Sequence, residues 1–412
     1  MKITMNTNDF ISAIKVLDKI SVNNVLPILN SVLITVQNGK VKLTRTNVEN
    51  TINVYFPADF DSYGTILLPK KMVEMLKNLR EDKVTITESS IITNRKVMDY
   101  NRMNSEEYPD VNRKFNKVFF ELPEKELNRM LEVKYCISST DAARPILCGV
   151  CFDGNRTVGI DGYRMSVREG NYNSDIHNVV VNSNTINLLD KVINKNSNEK
   201  VKVSGETFDG KIRQFVKFEI GNIEVIGLTI HGEYFNYKNF VPQDFETEIT
   251  VDVAEMLYEV EFMFKASNKE KPDIIKIITE NGKLLLRGTL TEMEFDKEAS
   301  FKATQKEQNK ADDEYDCLMD KFKMGIIKKK PKRKSVKEVK IYTPKEISHV
   351  KSEVEANVQG QDILMGFNVR YIYEALKQTA TDRVKLKALA KTSPMIITAD
   401  GNNFEMVLPV RL

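Results

Sequence analysis

The sequence predicts an α+β fold in which one domain, built from two helices and several antiparallel strands, occurs three times along the chain. Three observations predict it: amphipathic helical segments that come in pairs, an apolar strand after the first helix of each pair, and a tight-turn dipeptide after each of those strands. Because self-similar segments in a fixed order are typical of repeated units, we expect three copies of one domain.

The first helix of each pair has apolar residues at helical spacing. In the first segment Phe10, Ile11, Ile14, Leu17 and Ile20 share a face, and Asp9 is placed to cap the helix. The three predicted segments are NDFISAIKVLDKI (8–20), PEKELNRMLEVKYCIS (123–138) and DVAEMLYEVEFMFK (252–265).

A proline, a strand and a turn follow each of these helices. The prolines are Pro27, Pro145 and Pro272, and the turn dipeptides are Asn38-Gly39, Asp153-Gly154 and Asn281-Gly282, residue types that supply the positive φ angles of a tight hairpin. The second helices are PKKMVEMLKNLR (69–80), NSNTINLLDKVINK (182–195) and NVRYIYEALKQTA (368–380).

These spacings predict domains at residues 1–118, 119–243 and 244–412. From the turn glycine to the second helix the distances are 30, 28 and 86 residues, so the third domain carries about 57 extra residues. We place the surplus at about 293–349, as a charged loop inserted between strands, because surface loops tolerate insertions at small entropic cost.

Charge is concentrated in that insertion. The chain has 412 residues, 41% of them hydrophobic, and a net charge of +3. Residues 305–349 hold thirteen Lys/Arg and eight Asp/Glu, a net of +5, so the rest of the chain has a net charge of −2. One segment therefore makes a mildly acidic protein look basic.

The sequence also excludes some classes of protein. No apolar run approaches the roughly 18 residues of a membrane span, and MKITMNTNDF lacks the apolar core of a signal peptide, so we expect a cytoplasmic protein without membrane contact. Four cysteines suit a reducing compartment. Cys148 and Cys151 have metal-site spacing, but on a strand they point to opposite faces, which favours buried thiols over a metal or redox site.

No motif indicates catalysis. The chain has no Gly-rich phosphate loop, and its three histidines, His177, His231 and His349, have no catalytic spacing. Asp312 and Asp313 could be considered as metal ligands, but an acidic run of this kind is more often solvated. We therefore expect no catalytic site, no cofactor and no metal.

Five motifs extend across nearly the whole chain, apart from the insertion: LPIL (26–29), RPILCGV (144–150), IDGYRMSV (160–167), MGFNVRYIYEAL (365–376) and VLPVRL (407–412). Together, and in this order, they resemble one known family, the bacterial DNA polymerase III beta subunit, or DNA sliding clamp.

This resemblance implies an architecture. Each of the three clamp domains would contain two helices and two antiparallel sheets, and one chain would form half of a ring. Two chains would join head to tail as a homodimer, with helices lining a hole through which duplex DNA passes and strands forming the outer wall. Such a processivity factor would tether the replicative DNA polymerase and other DNA enzymes during DNA replication.

A sliding protein should contact phosphates without regard to base sequence. Exposed lysine is common, so solvated surface is the more frequent role for any one of these residues, and the set is better evidence than its members. Arg144 aligns with a pore-loop arginine of the family, Asn23 falls where some relatives have a basic residue, and the fifth helix carries Glu255, Glu259 and Glu261 instead of lysines. The predicted DNA-binding residues are Lys15, Lys19, Lys71, Lys77, Arg80, Arg129, Arg144, Lys191 and Lys195.

The resemblance also implies a groove for short linear peptides of the polymerase and the clamp loader. Phe235 and Asn239 stand where relatives often have Pro and Arg, which would make the groove more aromatic and its rim less charged. Without the resemblance, several members would be ordinary core residues. The groove residues would be Leu147, Ile160, Gly162, Tyr163, Arg164, Met165, Phe235, Phe240, Tyr371, Thr392, Pro394, Met406, Val407, Leu408, Pro409, Val410, Arg411 and Leu412.

Ring closure would use the edge strand KVMDYNR, where Met98 and Tyr100 share a face, against the region of Phe262, Phe264 and Ala266 in the other chain. An alternative function is a monomeric, clamp-like nucleic-acid-binding scaffold that uses the basic run KKKPKRK (328–334). That run could also be a solvated loop or a targeting signal.

Overall fold

The computed structural model of the protein describes residues 1–21, 26–37, 39–208, 211–267, 273–324, 326 and 328–412. Helices make up 27% and strands 39% of the residues, and the strands pair in antiparallel fashion, which confirms the predicted α+β class. The predicted positions Asn23, Asn38 and Pro272 lie outside the described residues. None of the described helices is both long and apolar enough to cross a bilayer.

The chain divides into two compact units. The first comprises residues 1–241 together with 398–406, and the second comprises residues 242–397 together with 407–412. The first unit has a core that spans the segments before and after residue 113, and the second unit has a separate core around Phe367 and Ile372.

The first segment of the chain contains two helices. Its elements are β1 (Lys2–Asn6), α1 (Thr7–Leu17), β2 (Val32–Gln37), β3 (Lys40–Thr46), β4 (Asn50–Phe56), β5 (Asp59–Phe60), β6 (Gly64–Leu68), α2 (Lys70–Leu76), β7 (Lys83–Thr87), β8 (Ser90–Ile92) and β9 (Val97–Asp99).

The second segment has the same order of elements, except that its described residues contain no counterpart of β5. These are β10 (Lys117–Pro123), α3 (Glu124–Met130), β11 (Gly149–Asp153), β12 (Arg156–Ile160), β13 (Arg164–Glu169), β14 (Val179–Asn182), α4 (Ser183–Val192), β15 (Lys200–Phe208), β16 (Lys211–Ile220) and β17 (Ile223–Ile230).

The third segment repeats the order once more and adds a helix. Its elements are β18 (Thr247–Asp252), α5 (Val253–Ala266), β19 (Ile274–Glu280), β20 (Lys283–Phe295), α6 (Lys297–Lys323), β21 (Tyr342–Val354), β22 (Ala356–Gly360), β23 (Leu364–Asn368), α7 (Val369–Lys377), β24 (Arg383–Ala388), β25 (Met395–Thr398) and β26 (Phe404–Val407).

Each predicted helix begins within two residues of the end of a strand, because an Asx or Pro residue at the junction favours the turn into a helix. Asn182, Asp252 and Asn368 cap α4, α5 and α7 with their side chains. The predicted cap Asp9 is wrong. The side chain of Asn6 caps α1 instead, accepting hydrogen bonds from the backbone N–H groups of Asn8 and Asp9, and Asp9 lies in the first turn.

Three strands form an antiparallel triplet in each segment: β2–β3–β4, β11–β12–β13 and β19–β20–β21. In the third triplet Asn281 and Gly282 both have positive φ, as the predicted tight turn requires. In the second, the turn differs from the prediction by one residue, because Asp153 pairs with Arg156 and the connecting residues are Gly154 and Asn155.

The insertion has more structure than predicted. A charged loop at about 293–349 is the wrong description for residues 297–323, which form the 27-residue helix α6. The strands β20 and β21 also extend to 13 residues each, so the insertion continues a long hairpin. The sequence did not reveal the helix because its exposed surface is polar on most sides and shows no apolar stripe.

The cysteines are unpaired thiols. Cys136 and Cys151 are buried, Cys148 is partly buried and Cys317 is exposed. Burial raises the pKa of the Cys136 and Cys151 thiols, which keeps them in the protonated form.

Candidate nucleic-acid and partner interfaces

The C-terminal ends of three helices of the first unit meet. The Lys19 ammonium group, just after α1, donates a hydrogen bond of 2.5 Å to the carbonyl oxygen of Lys191 in the last turn of α4. The Lys77 ammonium group at the end of α2 pairs with Asp18, which also binds Arg45 at 2.6 Å. The structure therefore brings together three of the predicted DNA-binding residues, Lys19, Lys77 and Lys191.

The cluster is only partly neutralised. Asp18 serves two cations, and Asp190 likewise serves two, Lys134 at 2.7 Å and Lys195 at 3.1 Å. Although burial acts in the opposite direction, the hydrogen bonds from both lysines hold the pKa of Asp190 below its usual value. Burial lowers the pKa of Lys19, so its proton is held less firmly than that of a solvated lysine.

The other predicted DNA-binding residues differ in their availability. Lys15, Lys71, Arg80 and Lys191 are exposed. The Arg129 guanidinium is occupied by Glu126, at 2.7 and 3.1 Å, by the Asn403 side chain at 2.9 Å, and by a backbone carbonyl. Those bonds fix Arg129 within the protein, so its geometry favours a structural role.

Arg144 lies before the short 3₁₀ helix 145–148. Its Nε and Nη2 atoms contact the Asp141 carboxylate at 3.1 and 3.0 Å, and 46% of its side chain is exposed. The guanidinium rests on Gly162, where a Cβ atom would come within 3.0 Å of Nη1 and where φ is +92°. Glycine at position 162 therefore allows the arginine to cross the turn after β12 and still reach solvent.

Three predicted groove residues of the first unit form exposed aromatic surface: Tyr163, Phe235 and Phe240, with 61%, 41% and 59% exposure. Ile160 is partly buried, whereas Leu147, Met165 and Met406 are buried, so these three act as core residues in this structure. Arg164 is held by Asp161 at 2.8 Å and donates to the Tyr135 carbonyl oxygen at 2.8 Å, which places its charge inside the fold.

In the second unit the C-terminal tail lies on β23. The Val410 N–H donates to the Gly366 carbonyl oxygen at 2.8 Å, and the Leu412 side chain covers Gly366, where a Cβ atom would clash at 2.5 Å. Arg411 and Leu412 are exposed, and Leu408 is 38% exposed. Val407 is buried, and the remaining predicted groove residues of this unit, Tyr371, Thr392, Pro394 and Pro409, are partly or fully exposed.

The residues predicted for ring closure are not all at the surface. Met98 and Tyr100 pack against the core of their own unit, and the Tyr100 hydroxyl donates to the Thr87 carbonyl oxygen at 2.5 Å. Burial raises the pKa of Tyr100 to about 12. In the second unit Phe262 is 55% exposed and Ala266 is exposed, whereas Phe264 stacks on Tyr373 with ring centroids 4.6 Å apart.

The sequence prediction missed a buried ionic network in the first unit. Arg168 on β13 binds Glu405 on β26 at 2.5 Å, and the Tyr135 hydroxyl donates to the other carboxylate oxygen. Arg168 and Glu405 are 5% and 3% exposed. Burial raises the pKa of Glu405 while Arg168 opposes the rise. Although the burial of Arg168 acts in the other direction, Glu405 raises the pKa of the guanidinium. No local motif signals a pair separated by more than two hundred residues.

Strand pairing follows one rule in the first unit. The third strand of the first triplet, β4, pairs with β17, which is the last strand before residue 242. The third strand of the second triplet, β13, pairs with β26, the last strand of the chain. In the second unit β21, the third strand of its triplet, lies at the edge of a four-stranded sheet, and β9 lies at the edge of the five-stranded sheet of the first unit.

Helix α5 differs from the lysine-bearing helices. Glu255 accepts a hydrogen bond from the Glu355 N–H at 3.0 Å, Glu259 accepts one from Ser352 at 2.5 Å, and Glu261 binds Lys265 at 2.9 Å. Within the described residues, no group of three His, Cys, Asp or Glu side chains has the geometry of a metal site.

Comparison with known proteins agrees with this repeated architecture. Residues 1–112 match the family model of the DNA polymerase III beta subunit N-terminal domain, and residues 336–411 match the model of its C-terminal domain. The beta sliding clamp of Staphylococcus aureus is 22% identical, with 100% of this chain and 99% of the relative covered.

Solved structures show the same fold. The DNA polymerase sliding clamp of Bacillus subtilis superposes with a TM-score of 0.76 at 18% identity, covering 100% of this chain and 99% of that one. The DNA polymerase III subunit beta of Pseudomonas aeruginosa has a TM-score of 0.77 at 17% identity, with both chains fully covered.

The three strand triplets, the repeated strand–helix junctions and these superpositions define the class of sliding-clamp folds. Both ends of the chain match models of the bacterial DNA polymerase III beta subunit family, and a curated beta sliding clamp aligns over the whole chain, which confirms the resemblance found in the sequence.

Proposed function

We propose that this chain is the subunit of a DNA sliding clamp, a ring that encircles duplex DNA and tethers a DNA polymerase to it. The observation that carries the proposal is the threefold order of strand, helix and strand triplet in a chain whose two ends match the two terminal domains of the clamp family. We take the domains to be residues 1–118, 119–243 and 244–412. A repeated wedge closed by symmetry is a simple way to surround a cylindrical ligand.

Contact with DNA would be electrostatic and independent of base sequence. The cluster of Lys19, Lys77 and Lys191, with the exposed Lys15 and Lys71 nearby in sequence, supplies ammonium groups for phosphates. Phosphate contacts of this kind release counterions and carry no sequence information. The ring would be retained by its topology while these contacts stay weak enough for sliding.

Ring closure would continue the pairing rule of the first unit. There, the third strand of one triplet receives the last strand of the following segment. The edge strand β21 would, by the same rule, receive a last strand from a second copy, and β9 at the edge of its own sheet fits that role. Exposed edges of this kind present unpaired N–H and C=O groups for strand addition. The head-to-tail homodimer is therefore part of the proposal.

Partner proteins, including a clamp loader, would bind through short linear peptides. In the first unit the exposed aromatic residues Tyr163, Phe235 and Phe240 offer apolar contacts for such peptides. In the second unit the exposed tail residues Leu408 and Leu412 do the same. The buried Leu147 and Met165 would then support the groove from below, and Arg164 would shape it through Asp161. We propose no catalytic step for this chain, because tethering requires only binding.

The decisive experiment separates topological retention from affinity. The chain is loaded by its host clamp loader and ATP onto a nicked circular plasmid, and bound protein is separated by gel filtration before and after linearisation with a single-cutting enzyme. We expect retention on the circle and rapid loss from the linear product. A linear control whose ends are blocked by biotin–streptavidin should retain the protein. Equal loss from circular and open linear DNA would contradict the proposal.

A second measurement concerns assembly. Sedimentation equilibrium of the purified chain should give the mass of a dimer. In that dimer the edge strand β9 of each chain would pair with the edge strand β21 of the other, so that two equivalent contacts close the ring. A chain that stays monomeric at every concentration and does not dimerise on DNA would contradict ring closure.

A further inference from the structure

The described residues of the insertion form an arm built on the β20–β21 hairpin. The strands pair from Leu284 opposite Val354 to Phe295 opposite Tyr342. At the end of the hairpin the Asp296 N–H donates to the Ile341 carbonyl oxygen at 2.9 Å, and the Asp296 side chain caps α6 by accepting from the Ala299 N–H at 2.8 Å. The helix and the returning chain therefore start from a fixed base.

The returning chain, residues 333–341, is docked along α6 by polar side chains. The Ser300 hydroxyl accepts from the Ile341 N–H at 2.7 Å, and the Thr304 hydroxyl accepts from the Val339 N–H at 2.9 Å. The Gln308 amide oxygen accepts from the Val336 N–H at 3.1 Å.

The series continues to the end of the docked chain. The Gln308 amide group also donates to the Lys334 carbonyl oxygen at 3.3 Å, and Asp312 binds the Arg333 guanidinium at 2.8 and 2.9 Å. Ser300, Thr304, Gln308 and Asp312 follow one another at four-residue intervals, so they lie on one face of the helix. We call these four residues the polar ladder.

The polar ladder holds the returning chain by its backbone between residues 334 and 341. It leaves the lysines of the basic segment, which we define as residues 328–340, free for other ligands. The segment contains eight Lys/Arg and one Glu, a net charge of +7. Within the described residues, only Arg333 of these eight has an ion-pair partner. The other seven are exposed: Lys328, Lys329, Lys330, Lys332, Lys334, Lys337 and Lys340.

Helix α6 does not neutralise this charge. Its residues 297–323 include six lysines and seven acidic residues, so its net charge is −1. Asp312, the acidic member of the polar ladder, is occupied by Arg333, whose hydrogen bond lowers the pKa of the carboxyl group. The arm as a whole is therefore strongly cationic along one edge.

We propose that this arm is a second nucleic-acid-binding surface, which binds the phosphate backbone without regard to base sequence and shares no residue with the lysine cluster of α1, α2 and α4. Duplex DNA carries one charge per about 1.7 Å of its axis, so a short segment with seven exposed lysines can pair with several phosphates at once and needs no base contact. Docking on α6 lowers the ordering cost that a free loop would face on binding.

A phospholipid surface is the less suitable polyanion. Membrane-binding segments combine lysines with apolar side chains that enter the bilayer. In the basic segment the apolar side chains are Pro331, Val336 and Val339, and all three are half-buried. Val336 and Val339 lie next to the backbone bonds to Gln308 and Thr304. The exposed side chains between residues 328 and 340 are mainly charged, as phosphate binding requires.

The test measures binding of the full-length protein to a 30-base-pair linear duplex by fluorescence anisotropy between 50 and 200 mM NaCl. Lys328, Lys329 and Lys330 are replaced together by Gln, and the matched control replaces Lys40, Lys83 and Lys114, which are exposed in the first unit, by Gln. We expect the arm variant to bind about tenfold more weakly. The slope of log K against log salt should fall by about 0.9 for each lost phosphate contact. The control should match the parent.

A second variant, Thr304→Val with Gln308→Leu, keeps every charge but removes two steps of the polar ladder. Its affinity should fall severalfold with the salt slope unchanged, because only preorganisation is lost. Circular dichroism checks that both variants remain folded. If the lysine variant bound duplex with the parent's affinity and slope, the proposal would be wrong. Binding to phosphatidylserine vesicles is measured for the same lysine variant. The proposal would also be wrong if this variant lost binding to the vesicles and kept its binding to duplex DNA. Retention on circular DNA should survive in both variants, so this test is independent of the clamp function.

Discussion

The strands β13 and β21 occupy the same place in their triplets and have opposite surroundings. β13 has neighbours on both sides, is buried along five of its six residues, and carries Arg168 in a buried ion pair. β21 has β20 on one side, forms the edge of its sheet, and is exposed over most of its length. The connection to the preceding strand is residues 161–163 for β13 and residues 296–341 for β21.

This difference shows where the fold tolerates change. A strand enclosed on both sides can hold charges only in matched pairs, and a long insertion before it would disturb two neighbours. An edge strand has one neighbour to satisfy, so an arm can grow from its hairpin and its free edge can accept another chain. The comparison predicts large effects for substitutions in β13 and smaller ones around β21.

The largest effect should come from breaking the buried pair. Replacing Arg168 by Met leaves the Glu405 carboxylate buried without its partner, and we expect a loss of about 3–5 kcal/mol in the free energy of unfolding. Urea denaturation followed by circular dichroism measures it. The double variant Arg168→Met with Glu405→Leu should recover more than half of the loss, because no charge remains buried. A single variant as stable as the parent would show that the pair is dispensable.

A smaller effect is expected at the edge of β21. Ile347 is 58% exposed there, and Ile347→Glu should raise the dissociation constant of the dimer by about tenfold or more, because a charge would be buried at the new strand contact. Sedimentation velocity measures the dimer. Phe301→Glu, at a residue of α6 with 62% exposure, is the matched control and should leave the dimer intact. Equal weakening by both would argue against β21 as the interface.

The sequence could predict the threefold order because local signals determine it. Phe10, Ile14 and Leu17 repeat at helical spacing and are buried as expected, and Asn281-Gly282 forms the tight turn that its residue types favour. The sequence did not predict the first residue of α1, because Asn6 and Asp9 are both residue types that cap helices. The end of strand β1 at Asn6 decides which of the two is the cap.

What could not be predicted depends on contacts distant in sequence. Arg168 and Glu405 meet only after β26 has paired with β13, and Met98 and Tyr100 turn inward because their own core lies behind β9. Helix α6 escaped because its order comes from a polar ladder and not from an apolar stripe. The four-residue spacing of Ser300, Thr304, Gln308 and Asp312 was the signal that a search for polar periodicity would have found.

Replacing the long connection before β21 by the short connection before β13 tests whether the domain folds without the arm. Residues 296–341 are replaced by Asp161-Gly162-Tyr163, the connection before β13. We expect the free energy of unfolding of the second unit to change by less than about 2 kcal/mol, because loop length enters only logarithmically. Binding of a short linear duplex should fall about tenfold with the arm gone, measured by anisotropy. A chain that no longer folds would show that α6 is part of the domain core.

The smallest effect concerns the turn between the first two strands of each triplet. This turn is short in both the triplet that ends in β13 and the triplet that ends in β21. Gly154 and Gly282 have φ angles of +62° and +78°, and a Cβ atom at Gly282 would meet no atom within 4 Å. Gly282→Ala should therefore cost about 1 kcal/mol through backbone strain alone, measured by urea denaturation. Gly154→Ala should cost a similar amount, since its nearest contact would be 4.0 Å away. Lys283→Ala, at the exposed first residue of β20, is the control and should be nearly neutral.

A clearly larger loss of stability for Gly282→Ala than for Gly154→Ala would mean that the turn supports the arm as well as the hairpin. The two triplets would then differ at both of their connections.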